Sequence, residues 1–468
     1  MSRWNLAWLM GIPAVMLLVL TLCYSAPPRD QDKDYRLVRM IVDVLSEVDR
    51  EFVRELSDED REKLVEDMIN GGLEKLDQYS GYLNKKELEQ FEGQSEGKFG
   101  GVGIEIGVDR NTGALTVQGL IPNTPAYEAG LMSGDIIAKV DGISTENMTI
   151  GNAISKIKGR PGTQVTLTIL RPSQPEPRDY TLTRAKIEIQ AIMSDTRDPE
   201  DASRWQFMID PVSKIAYIRL VAFNEHAVAD MQKAILEIQR QGARGLILDL
   251  RDNPGGLLRQ AVEIADLFLL DGTIVSIYSR NGKEKEYRAQ SAGTMLLPVA
   301  NHPIVVLVNQ YSASASEILA AALQDHGRAV VIGERTFGKG SVQNIFSLPR
   351  GERVPQAALK LTTARYVRPS GKNIHRLPEM KEADEWGVLP DPGFEIKLDE
   401  KERLQYILWR RHRDILTGKG SVPKAPPKEI EGFRDRVLER GLEHLREQLR
   451  RAAAPPAAPL LPQDWLRG

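Results

Sequence analysis

From Lys214 onward the apolar residues arrive in short unbroken runs that alternate with amphipathic helical stretches, and few architectures accept that pattern. KIAYIRL reads as a strand and RGLILDL as a buried strand, and NEHAVADMQKAILEIQRQ between them sets Val228, Met231, Ile235 and Ile238 on one helical face. GLLRQAVEIADLFL follows as a helix, TIVSIYS and PIVVLVN as strands, ASEILAAALQD as a helix, AVVIG as a strand and VPQAALKLTTARYV as a late strand pair. This βα alternation predicts a layered α/β core.

The chain has 468 residues, 41% of them hydrophobic and 27% charged, enough to fill two or three packed domains. A net charge of -3 leaves no domain-wide basic excess, which argues against nucleic acid as a partner. The single cysteine, Cys23, lies in the N-terminal apolar stretch, so the folded part has no disulfide, no thiolate metal site and no cysteine nucleophile.

That N-terminus begins with Arg3, continues as an apolar run from Leu6 to Leu22 and gives way to polar sequence, the pattern of an export signal. Cys23 and Ser25 would serve as the small residues of a cleavage site before Ala26, while Pro27 counts against cleavage. Uncut, the run is nearly long enough to hold the chain in a membrane. Residues 1–25 are therefore expected to be a signal peptide or a membrane anchor, with the rest delivered outside the cytoplasm, in the periplasm or an equivalent compartment.

Residues 30–95 read as helical: VRMIVDVLSEVDREFV places Val38, Ile41, Val42, Leu45 and Val48 on one face, and Ser57 opens a second helix with acidic residues in its first turn. The role expected of this arm is packing, or assembly into a homo-oligomer. Residues 96–188 change texture to short β-type runs punctuated by glycine. GGVGIEI, PAYEAGLMSGDIIAKVDG and NAISKIKGRPGTQVTLTILR resemble a PDZ domain over the whole module. Gly101, Val102, Gly103 and Ile104 would form a loop whose N–H groups hold a peptide's terminal carboxylate while the next strand pairs with the peptide backbone. Residues 189–395 make the α/β core. Residues 396–468 form a charged helical tail with a Pro-rich end, expected to be appended and solvated.

Three stretches of the core fall after strands, where open sheets place ligands: RDNPGG, SASASE and TFGKGSVQ. Ser314 stands where a strand has ended and a helix begins, so its oxygen lies at the positive end of the helix dipole beside free N–H groups, which suits a nucleophile as well as an N-cap. None of the six histidines lies in a GxSxG or HExxH setting to serve as its base. A lysine serves when burial keeps it neutral, and Lys339 sits in a glycine-flanked loop without an obvious carboxylate partner; a solvent-facing charge reads the same. If GKGSVQ runs extended, Gln343 points to the same side as Lys339 and orients its amine.

Taken together, LILDLRDNPGG, NQYSASASEILAAALQDHGRAVVIGERTFGKGSVQ and LKLTTARYVRPSGKNIH resemble the carboxy-terminal processing proteases, also called tail-specific proteases, and the likeness reaches from GGLEKLDQYSGYL to about Pro392. The resemblance implies a multidomain α/β protein with a Clp protease and crotonase type of core, working as a serine endopeptidase with a Ser/Lys dyad and without metal or organic cofactor. It makes Ser314 the nucleophile, Lys339 the general base and Gln343 its orienting group, with an oxyanion hole from Ala315 and either Gly255 or Gly256. Its partners would be proteins or peptides with free C-termini, and an adaptor is open. Asp325 also matches a family position, but eleven residues along a helix is roughly 16 Å from Ser314, so pairing with Arg328 or a structural cap is expected instead. Two other classes compete: a peptide-binding module with an inert core, and acyl-CoA chemistry on the glycine turn.

Overall fold

Four of the apolar runs read as strands lie side by side in one parallel sheet, while TIVSIYS joins another. Ile215–Leu220 pairs with Gly245–Asp249, that strand with Ile304–Val308, and that with Ala329–Gly333, in registers such as Ile215↔Gly245 and Ile304↔Ala329. Nearly every side chain in these strands is buried, which is why they read as continuous apolar runs rather than alternating ones. Short antiparallel strands at Ile192–Met193 and Met208–Asp210 complete the sheet at the first of them. The structure, a computed structural model, describes residues 31–109, 112–174, 176–290, 302–348, 356–419 and 426–453. The segment expected to direct export lies outside the described residues, as does the Pro-rich end beyond 453; among the described residues no helix is long and apolar enough to cross a membrane.

The chain divides into two units, residues 1–75 and 76–468. The first holds helices Gln31–Glu51 and Asp58–Leu73, the second of which starts at a capping box in which Ser57 Oγ accepts the Asp60 N–H at 3.1 Å.

In the second unit, helices Ala227–Arg240, Leu258–Asp266 and Ala315–Asp325 cover one face of the parallel sheet, and their apolar sides share one core with Leu246, Leu248, Val306 and Val331. A second, antiparallel sheet packs beyond them: Gly81–Asn84, Ala357–Val367, Thr273–Ser279 and Gly282–Arg288 in order, with Ser341–Leu348 also on Ala357–Val367. The late strand pair expected near Val354–Val367 is thus one long strand with partners from elsewhere in the chain. A third body, Ile104–Val108, Leu115–Leu120, Ile136–Val140, Gln164–Leu170 and Arg178–Thr183 with helix Ile150–Ile157, has a core of its own.

The tail departs from expectation. Helix Arg436–Ala453 covers the other face of the parallel sheet, burying Val437, Leu438, Leu445 and Leu449 against Ile215, Tyr217, Ile247, Val305 and Leu307. Each such side chain contributes roughly 1.5–3 kcal/mol. The charges that suggested a solvated helix are paired instead: Arg410 bonds Asp195 Oδ1 at 2.8 Å, Arg219 bonds Asp414 Oδ1 at 2.6 Å, and Arg251 bonds both oxygens of Asp435 at 2.9 Å. Leu416, just after helix Glu400–Asp414, enters the core of the third body, and its carbonyl accepts the Leu120 N–H at 3.2 Å. The tail therefore completes the layers and ties two cores together.

Candidate active site

The turn from Asn309 to Ala313 carries the chain from strand Ile304–Val308 into helix Ala315–Asp325, and its hydroxyls divide their work. Ser312 Oγ donates to Leu250 O at 2.8 Å and accepts the Asn309 N–H at 3.0 Å. Ser316 Oγ donates to Asn253 O at 2.9 Å, and the Ala313 N–H donates to the same carbonyl at 3.0 Å. Two of the three serines thus stitch the turn to the segment 250–253, and between them Ser314 keeps its hydroxyl beside the phenol of Tyr366. Ser314 itself has φ 55 and ψ -113. A non-glycine residue at positive φ persists only where its surroundings hold it, and such strain collects at functional sites.

What holds it is Glu317, which is completely buried. Its Oε2 accepts the N–H of Ser314 at 2.8 Å and the N–H of Lys339 at 2.8 Å, while Oε1 accepts the Thr336 hydroxyl at 2.6 Å and the Gly338 N–H at 2.7 Å. Burial pushes its carboxyl up to about 7, against the four donors that favour the ionised form. One carboxylate fixes both the serine turn and the lysine loop.

Lys339 is half-buried, and its amine is held below the usual lysine range, first by desolvation and then by repulsion from Lys360, with Glu317 opposing. Its Nζ lies 4.9 Å from the ring centre of Tyr79. Gln343 Nε2 donates to Ser341 Oγ at 2.9 Å and Thr362 Oγ1 at 3.0 Å, and no hydrogen bond joins its amide to Lys339. Regular strand begins only at Ser341, after Lys339, and within it the side chains of Ser341 and Gln343 lie on the same side, where they bond each other; the extra residue at the register shift is Thr363 of the partner strand. The buried phenol of Tyr366 neighbours the Ser314 hydroxyl and is raised to about 12 by desolvation.

The RDNPGG loop presses against this turn. A Cβ on Gly255, which has φ +100, would lie 2.7 Å from Ala313 O and 2.9 Å from Ala315 N. The Gly255 N–H donates to Asn253 Oδ1 at 2.9 Å, so of the two glycines considered for an oxyanion hole this one has its donor engaged. The N–H groups of Gly256 and Ala315 donate to no acceptor among the described residues. No group of three or more His, Cys, Asp or Glu among the described residues is placed to hold a metal ion.

Residues 214–391 match Peptidase family S41, and residues 116–171 match a PDZ domain. The chain is 34% identical over 445 residues to the carboxy-terminal-processing protease of Bartonella bacilliformis, which spans 94% of this chain and 95% of that one. This chain belongs to the carboxy-terminal processing proteases. It is likewise 34% identical over 339 residues to the carboxyl-terminal-processing protease of Synechocystis, covering 72% of this chain and 73% of the relative. Among solved structures, the photosystem II D1 C-terminal processing protease shares 30% identity with a TM-score of 0.40, over 76% of this chain and 92% of its own. The expected fold class and a serine-type peptidase activity are both borne out.

In this protease the PDZ body offers a groove between strand Ile104–Val108 and helix Ile150–Ile157, lined by Phe99, Ile104, Ile106, Ile154, Ile157 and Lys158. The loop from Gly101 to Ile104 lies on that groove. Its carbonyls face the fold: Val102 O accepts the Ala126 N–H at 2.9 Å, and Gly103 O accepts the Ile121 N–H at 3.0 Å. Gly103, at φ +82, admits no Cβ, which would fall 2.1 Å from Thr124 Oγ1.

Asp325 stands apart from the serine turn, as its helical distance requires, but its partner differs from the one expected. Arg368 grips both oxygens, at 2.9 and 2.6 Å, and the Ser370 N–H adds a bond at 3.0 Å. Arg328 instead reaches the carbonyls of Phe268 and His302. Sequence reasoning missed Glu317, Thr336 and Tyr79. Glu317 had a visible signal, an acid three residues after a helix-opening serine, but that pattern reads as a cap.

Proposed function

We propose that the chain is an exported serine endopeptidase that takes the free carboxy terminus of a protein in its PDZ groove and cuts near that end through Ser314 and Lys339. The observation that carries the reading is the convergence at Ser314: a strained serine at a helix N-terminus, two unclaimed N–H groups beside it, and a lysine of depressed basicity fixed to the same carboxylate.

In this reading the neutral Lys339 amine takes the Ser314 proton as Oγ attacks the scissile carbonyl. The oxyanion forms against Ala315 N–H and Gly256 N–H, and the lysine ammonium protonates the leaving amine; water then releases the acyl group by the same route. Gln343, whose Nε2 is held by Ser341 and Thr362, is given no step in this reading. Recognition rests on the glycine loop, whose carbonyls are committed to the fold and whose N–H side is the one available to a terminal carboxylate. The apolar run from Leu6 to Leu22 supports a location outside the cytoplasm.

The test is cleavage of one peptide with a free carboxylate and of its amidated twin. Faster cutting of the free form is expected; equal rates would remove terminal recognition from the account.

A further inference from the structure

Residues Asp77–Ser80 form a tight turn just before strand Gly81–Asn84, and nothing above gives them chemistry. Asp77 Oδ1 accepts the N–H groups of Tyr79 at 2.7 Å and Ser80 at 2.9 Å, and Oδ2 accepts the Ser80 hydroxyl at 2.8 Å. The turn is also fastened to the catalytic sheet: Thr362 Oγ1 donates to Asp77 Oδ1 at 3.1 Å, and the Thr362 N–H donates to Ser80 Oγ at 3.1 Å. Thr362 is the residue whose hydroxyl receives Gln343 Nε2. This doubly anchored turn sets the Tyr79 ring over Lys339 Nζ, 4.9 Å from the centroid, while Gln78 Nε2 holds the phenol oxygen at 2.9 Å.

We propose that Tyr79 is a catalytic-site residue whose ring face covers Lys339 Nζ and stabilises the ammonium formed when that lysine takes the Ser314 proton. The inference rests on the Ser/Lys reading above. A ring face attracts a cation and is nearly indifferent to a neutral amine, so the contact strengthens as the proton moves, which is the condition for an interaction to speed a step rather than tighten a ground state. The other charged or titratable groups facing this pair are Lys360, which repels the ammonium, Glu317, which attracts it, and Asp77 and His375 around the ring. Glu317 and Asp77 bind backbone and hydroxyl donors, and neither hydrogen-bonds Nζ. The ring face is the contact left to the ammonium before it returns its proton.

The test uses the full chain with Tyr79→Phe, which keeps the ring, Tyr79→Leu, which keeps only apolar bulk, and Lys339→Ala. Two quantities are read: kcat/KM against pH, and the pH midpoint at which an amine-selective acylating reagent modifies Lys339, followed by mass spectrometry on folded protein. Tyr79→Phe should stay within about twofold of the parent, whereas Tyr79→Leu should lose about tenfold at high pH and move both the acidic limb and the modification midpoint down by about one pH unit. A role confined to packing would lower the rate without moving either midpoint. An unmoved or raised midpoint in Tyr79→Leu overturns the proposal. Parental activity in Lys339→Ala would instead remove the lysine base itself, and the modification midpoint, which needs no turnover, still decides whether the ring holds the ammonium.

Discussion

The backbone N–H groups of Ser314 and Lys339 donate to one oxygen, Glu317 Oε2, each at 2.8 Å. The serine turn and the lysine loop belong to different strand exits, and this shared acceptor sets one against the other. Glu317→Gln replaces one acceptor oxygen by a donor facing N–H groups. We expect kcat/KM to fall by about 100-fold or more and stability by about 2–3 kcal/mol, measured by peptide cleavage and urea unfolding. Parental activity in the variant would remove the clamp from the account.

Lys339 should leave its mark on the pH profile. Only the neutral amine accepts a proton, so the rate rises with pH through the apparent pKa of the base, and burial with Lys360 nearby displaces that pKa below the ordinary lysine range. Lys360→Glu replaces a repelling charge by an attracting one. The acidic limb of kcat/KM should then move to higher pH, by about one unit or less.

Gly255→Ala tests the fit of the two loops. The added methyl would sit 2.7 Å from Ala313 O at a φ of +100, so the serine turn must shift. A loss of about 1–3 kcal/mol is expected in thermal unfolding, with kcat reduced more than KM.

Asp325 is predicted to matter for stability and not for chemistry. Its carboxyl is held below the usual range by Arg368 and the Ser370 N–H, which outweigh its desolvation. The stabilisation is therefore present above the unfolded carboxyl pKa and is lost as pH falls through the lower folded value. Asp325→Asn should cost about 3 kcal/mol at neutral pH and leave the kcat of the folded fraction within about twofold.

The tail gives the prediction furthest from the composition of the segment. Asp435 and Asp249 both hold Arg251, all three buried, and Arg251 begins the loop that carries Gly255 and Gly256. Asp435→Asn leaves a buried guanidinium short of one charge partner. It should cost about 3–5 kcal/mol in unfolding experiments and lower activity through the displaced loop.

These residues show what a sequence can and cannot display. The parallel strands were legible because burial on both faces leaves an unbroken apolar run, as in IVVLV, and Ser314 because a strand exit meeting a helix start is a local pattern. The packed tail was not legible: Val437, Leu438, Leu445 and Leu449 lie in a helix dense with arginine and glutamate, whose bonds to Asp210 and Glu402 need distant segments. The hold on Gln343 was not legible because one of its two hydroxyl partners, Thr362, comes from a strand paired over a long range. Tyr79 reaches Lys339 only through the pairing of Gly81–Asn84 with Ala357–Val367, a long-range match that spacing cannot reveal.

The central claim is that Ser314 is the nucleophile and Lys339 its base. The most direct measurement mixes purified protein with a slowly deacylating ester of a peptide substrate and identifies the acylated residue by mass spectrometry, in the parent, Ser314→Ala and Lys339→Ala. The account predicts acylation at Ser314 in the parent, none in Ser314→Ala, and formation slowed by about 1,000-fold or more in Lys339→Ala near neutral pH. Acylation at another residue, or an undiminished rate without Lys339, would contradict it.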